Sequence, residues 1–198
     1  MRYGTIALLS ATALALVGCG HKEETTTTTN SVTAESGSTT VADTNIADNS
    51  VVAAPAASGG QAFANTAAAS DAFEIAESQL AATSAHSAAI KSFAKKMIEA
   101  HTGSTAKLKT VTAGLSPAIT PDPTLTPDLQ AKADALKAKT GADFDTAYAA
   151  DQVAAHQATL DALKSYSASG DVPALKTFAT GLIPTVTAHL NMAKGLKP

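Results

Sequence analysis

Three histidines, His101, His156 and His189, stand in long stretches whose apolar residues recur with a helical period. On a wheel of about 100° per residue, His101 shares its face with Ile90, Ala94, Met97 and Leu108. His156 lies with Asp145, Leu160 and Leu163, and His189 with Leu175, Phe178, Leu182, Ala193 and Leu196. A further stretch offers Glu77 between Phe73 and Leu80, with Glu74 about 60° to one side. Each of four helices therefore directs a candidate ligand inward. A cluster of three imidazoles and one carboxylate suits Zn, Cu, Fe or Mn.

Height along the helix is a second test. At 1.5 Å per residue, His101, Glu74, Glu77 and His156 converge near mid-bundle, with His156 about 20 Å from its helix start. His189 lies about 10 Å from its helix end, which places it half a turn to two turns from the others. The same residues also fit a hydrogen-bonded core without metal, since inward Glu and His on neighbouring helices can satisfy one another. The Glu-x-x-His pair of a di-iron centre is absent. So are a Gly-x-Ser-x-Gly elbow, a phosphate-binding loop and any thiol besides Cys19. His86, between Ser84 and Ser87, reads as a surface turn residue.

The elements that must position these side chains follow from punctuation. Helices are expected over about 61–84 and 87–114; four prolines within 116–127 then forbid a helix interior. Pro127 after Thr126 opens a short helix to about Thr140, closed by Gly141. A long helix follows over 143–167, and Gly170-Asp171 leads into a last one over 172–195, with Pro184 expected to kink it near Thr180 or Gly181. The pattern is all-α: a ferritin-like four-helix bundle over residues 61–198, with a short extra helix in the long crossover connection.

Ahead of the bundle, the apolar run from Ile6 to Val17 has the length of a secretory h-region and ends in Leu16-Val17-Gly18-Cys19. This looks like a bacterial lipoprotein signal peptide (1–18), with Cys19 as the lipidated residue of the mature chain. Several acyl chains at about 0.8 kcal/mol per buried methylene anchor stably to a membrane. By resemblance to enterobacterial lipoprotein sorting, Gly20 rather than Asp after the Cys favours the outer membrane, facing the periplasm. Residues 19–60 have no aromatic, Leu or Met and carry the run Thr25 to Thr29, the composition of a disordered tether. As a flexible coil it would span about 35 Å on average.

Net charge bears on partners. The chain of 198 residues carries −3 overall, and after residue 60 its 12 Lys face 12 Asp and Glu, so no positive field recruits nucleic acid.

The motifs Ala72-Phe-Glu74-Ile, Phe93-Ala-Lys-Lys-Met97-Ile-Glu-Ala-His101, Phe144-Asp145-Thr-Ala-Tyr148, Val153-Ala-Ala-His156 and Leu182-Ile-Pro184 followed by His189-Leu190 together resemble the bacterial family called domain of unknown function 4142. The resemblance covers most of 61–197. It implies a ferritin-like bundle, exported or lipid-anchored, with Glu74, His101, Asp145, Tyr148, His156, Pro184 and His189 as signature positions. Asp145 and Tyr148 are thereby candidates to support a metal site from behind its ligands. Ala100 stands where the family has Asp, which removes one carboxylate from any such site. Two functional readings stay open: a lipid-anchored binding or envelope-maintenance module without turnover, or a metal-binding oxidase or storage protein using His101, His156, His189 and Glu74 or Glu77.

Overall fold

The computed structural model describes residues 59–198; the expected signal peptide, Cys19 and nearly all of the expected tether lie outside the described residues. Five helices follow in order: α1 (Gly59–Ser84), α2 (Ala88–Ala113), α3 (Pro127–Lys137), α4 (Gly141–Ser169) and α5 (Pro173–Lys194). There is no strand among the described residues. α1 begins at Gly59, so the helix reaches two residues into the segment read as tether.

α1 packs chiefly on α2 and α4 chiefly on α5, so two antiparallel hairpins associate, with α1 against α4 and α2 against α5. The connection from α2 to α4 runs the length of the bundle. Ile119, early in it, packs with the apolar cluster around Phe63 and Phe178, whereas Leu136 of α3 packs with the cluster around Ile90 and Phe144 at the other end. Thr126 caps α3 by accepting the Leu129 N–H, as the Thr-Pro pattern requires.

One boundary differs from the sequence expectation for a backbone reason. Gly141 does not close α3, which ends at Lys137; it has φ of 59° and opens α4, a left-handed conformation that glycine adopts without strain. Pro184 lies inside α5, which continues through it to Lys194. Gly60 answers a different demand. A Cβ there would meet Val172 Cγ2 at 2.6 Å, so only glycine lets the start of α1 approach the α4–α5 turn this closely. That turn is tied by Tyr166, whose hydroxyl donates to Asp171 Oδ1 at 2.8 Å and accepts from the Val172 N–H.

The core is two apolar clusters with a polar band between them. Alanines at 64, 68, 69 and 81 of α1 are buried, and their small volume brings neighbouring helices close. Between the clusters lie the buried polar residues Asp71, Glu74, Glu77, Ser78, His101, Gln152 and His156. Burying so many polar groups opposes folding unless each finds a partner. Which of them do is informative.

Candidate metal centre

α1 carries Asp71, Glu74 and Glu77 at spacings of three, so successive carboxylates stand one turn apart along its inner face. α2 supplies His101, α4 Gln152 and His156, and α5 His189. The three imidazoles meet at one level: ring centroids are 5.6 Å apart for His101 and His156, 5.9 Å for His101 and His189, and 5.5 Å for His156 and His189. One nitrogen from each lies within 4.8 Å of the other two. His189 is thus beside the others, at the near limit of the half turn to two turns that height along its own helix suggested. That measure cannot capture how far α5 slides along the bundle as it packs.

Two of the rings are oriented from behind. His101 Nδ1 donates to Asp71 Oδ1 at 2.7 Å, and Asp71 Oδ2 accepts from the Thr105 hydroxyl at 3.1 Å. His156 Nδ1 lies 2.8 Å from the Gln152 carbonyl. That oxygen can only accept, so the Nδ1 carries the proton and Nε2 presents its lone pair inward. Metal-binding histidines are commonly fixed in this way. His101 Nε2 and His156 Nε2 then point at the Glu74 carboxylate, 3.1 and 3.3 Å from its Oε2. These contacts are short but not aligned as hydrogen bonds. Both Nε2 atoms, both Glu74 oxygens and His189 Nδ1 are buried without a hydrogen-bond partner.

Five unpartnered ligand atoms from four neighbouring side chains are unusual in a folded core. The donor set fits a transition ion. Three nitrogens bound at about 2.0 Å to one ion stand roughly 3.3 to 3.5 Å apart, so rings whose nitrogens lie within 4.8 Å would close by about 1.5 Å at most. With neutral rings, Asp71 and Glu74 bring up to two negative charges, which a divalent cation offsets where water cannot.

The electrostatics are those of a tightly coupled cluster. Burial is the largest influence on His101 and acts to lower its pKa, but the hydrogen-bonded Asp71 and then Glu74 outweigh it and raise the value to about 10. His189 has no such partner, and burial, followed by repulsion from His156 and His101, takes it down to about 4. Burial also lowers His156, against the opposing attraction of Glu74. Without an ion, a proton on His101 between two carboxylates is the cation the cluster can recruit.

The other sequence candidates are placed differently. Glu77 is fully buried one turn beyond Glu74, where it accepts from Gln152 Nε2 at 3.4 Å. Burial first, and then the charge of Asp151, raise its pKa to about 8. Both glutamates therefore face the core, but Glu74 is the one against the imidazoles. The Tyr148 hydroxyl pairs with Ser78 Oγ at 2.9 Å and hydrogen-bonds no histidine; burial raises its pKa. Asp145 does not support the site. Its Oδ1 and Oδ2 accept from the His86 and Ser87 N–H groups at 2.9 and 2.6 Å, so it ties down the α1–α2 turn just ahead of α2. Asp145 precedes His156 by eleven residues, about 16 Å of helix, which puts the two at different levels. His86 is exposed in the α1–α2 turn. Asp71, Gln152 and Thr105 were not singled out from the sequence. The signal for Asp71 was present as Asp71-x-x-Glu74-x-x-Glu77, three acids on one line of an otherwise alanine-rich helix.

Fold and site together define an all-α bundle with a buried polar cluster of three histidines that could hold a metal ion. The chain belongs to the family described as domain of unknown function (DUF4142), which matches residues 47–196. No curated protein matches the sequence. Among solved structures it is similar to CopM in the Cu(II)-bound form, with a TM-score of 0.58 at 16% identity over 69% of this chain and 93% of that one. CopM in the Ag-bound form gives 0.56 at 16%, and in the Cu(I)-bound form 0.53 at 20%, each with the same coverage. At these identities the likeness is one of fold.

Proposed function

We propose that this protein is a metal-binding module of the bacterial envelope, which takes one Cu(II) ion at His101, His156, His189 and Glu74. The observation that carries this reading is the set of five buried ligand atoms without hydrogen-bond partners, contributed by four helices, where three imidazoles meet and Glu74 lies against two of them. Asp71 and the Gln152 carbonyl hold two of the rings so that lone pairs point inward. Among divalent ions a nitrogen-rich site binds copper most tightly. The bound copper and silver of the CopM structures, which share the fold, support that choice.

Holding or handing on the ion fits better than turnover of an organic substrate. The cavity that touches His101 and His189 has a volume of about 40 Å³, room for little more than a water molecule. When bound, the ion supplies positive charge that compensates the buried carboxylates. The chain's own residues provide the geometry and exclude solvent. No described helix is long and apolar enough to cross a membrane, and membrane attachment through lipid on Cys19 completes the proposal.

The test is metal analysis of the full chain, purified without a histidine tag, after exposure to equimolar Zn, Cu, Fe and Mn. One Cu(II) per chain is expected, falling below half in His156→Ala. Failure to retain any of the four ions, or retention unchanged after His101, His156 and His189 are all replaced by Ala, would refute it.

A further inference from the structure

A buried site needs a way in, and the small cavity at the cluster adjoins two neighbouring grooves. The small cavity at the cluster has His101, His189 and Asp71 at its inner end and Ala100, Ser104, Leu182 and Thr185 at its outer end. Those same four residues also line an open groove of about 510 Å³ on the surface between α2 and α5. These four side chains therefore stand between the groove and the cavity that the imidazoles line. Ala100 and Ser104 are small, and Thr185 is exposed. Nearby Gly103 and Gly181 have nothing within 4 Å of where a Cβ would stand, so neither helix closes the groove from above. The larger apolar groove of about 190 Å³ along α1 and α4 shares Ala67, Thr159 and Leu163 with the small cavity, but none of the cluster's histidines or carboxylates lines it. There the Ser70 and Thr159 hydroxyls hydrogen-bond across the seam at 2.7 Å.

We infer that metal ions enter and leave the cluster between α2 and α5, through a gate formed by Ala100, Ser104, Leu182 and Thr185. The inference rests on the metal-binding reading above and adds the route. Ser104 and Thr185 offer hydroxyls at the neck, which can replace water around an ion as it sheds its hydration shell. Lys96, Glu99 and Lys107 line the mouth. Leu182 is the apolar leaf of the gate, half-buried against the core.

The test separates rate from affinity. Cu(II) is mixed with the full chain in stopped flow, association and dissociation are followed by tyrosine quenching and by transfer to a chelator, and Kd is measured by equilibrium competition. Ala100→Leu fills the neck; association should slow by about tenfold or more and dissociation by the same factor, because raising only the barrier leaves Kd unchanged. Leu182→Ala removes the leaf and should speed both. Ala158→Leu, in the α1–α4 groove, should change neither. An unchanged rate in Ala100→Leu, slowing in Ala158→Leu, or a Kd weakened through faster dissociation in Ala100→Leu would each overturn the gate. If the unaltered chain binds no Cu(II), the metal reading fails by itself. The gate is then judged by deuterium exchange at the imidazole C2–H of His101 and His189 in mass spectrometry. Slower exchange in Ala100→Leu than in the unaltered chain supports it, and equal exchange overturns it.

Discussion

Replacing Asp71 by Asn isolates what the carboxylate behind His101 contributes. The two side chains have the same shape, and the amide can still accept from His101 Nδ1 while its NH₂ faces the Thr105 hydroxyl, so packing at this buried position is preserved. What is lost is the charge. Partners of this kind are worth about 10- to 100-fold in metal affinity. At a free Cu(II) concentration a hundred times the unaltered Kd, the ion stabilises the fold by about 2.7 kcal/mol; a tenfold weaker site leaves about 1.4 and a hundredfold weaker one about 0.4. Chemical denaturation with and without Cu(II), for the full chain and for Asp71→Asn, reads this difference directly. The ion-free Asp71→Asn protein should itself lose about 1 to 2 kcal/mol, since a hydrogen bond to a charged group becomes a neutral one. Taking the difference with and without ion removes that contribution. If Asp71→Asn gains as much from Cu(II) as the unaltered chain while His101→Ala gains nothing, Asp71 does not orient the ligand and the reasoning fails.

Asp145→Ala should cost about 1 to 3 kcal/mol by stranding the two N–H groups at the start of α2, yet leave Cu(II) affinity within twofold; a large loss of affinity would return Asp145 to the site. Glu77 has a folded pKa raised from 4.5 to about 8, so its ionisation in the fold opposes stability increasingly as pH rises from 4.5 to 8. Glu77→Gln should therefore be close to neutral at pH 4.5 and stabilising by about 1 to 3 kcal/mol at pH 8 in urea titrations; a stabilisation that does not grow with pH would contradict the burial argument. Cys19→Ser should move the protein from the membrane pellet to the supernatant of fractionated bacteria, and persistence in the pellet after a high-salt wash would show that attachment lies elsewhere.

The division between local and global information is visible in single residues. The helices, their inward faces and the long proline-rich crossover were legible because apolar period, caps and prolines act within a few residues along the chain. Sequence alone thus placed His101, His156, His189, Glu74 and Glu77 on faces directed inward. Gly141 was misread because one glycine serves equally as the end of a helix or the start of the next, and only the chain's direction there distinguishes them. Relative height was not legible for His189, because it depends on how far α5 slides against α2 and α4, set by side-chain interlocking across the bundle rather than by any local signal. The choice between Glu74 and Glu77 was likewise made by packing: both are buried, and only the rotation of α1 against α2 and α4 brings Glu74 to both imidazoles and gives Glu77 to Gln152. The pairing of Asp71 with His101 joins residues 30 positions apart, and hydrogen-bond partners at that separation are selected by the tertiary fold alone.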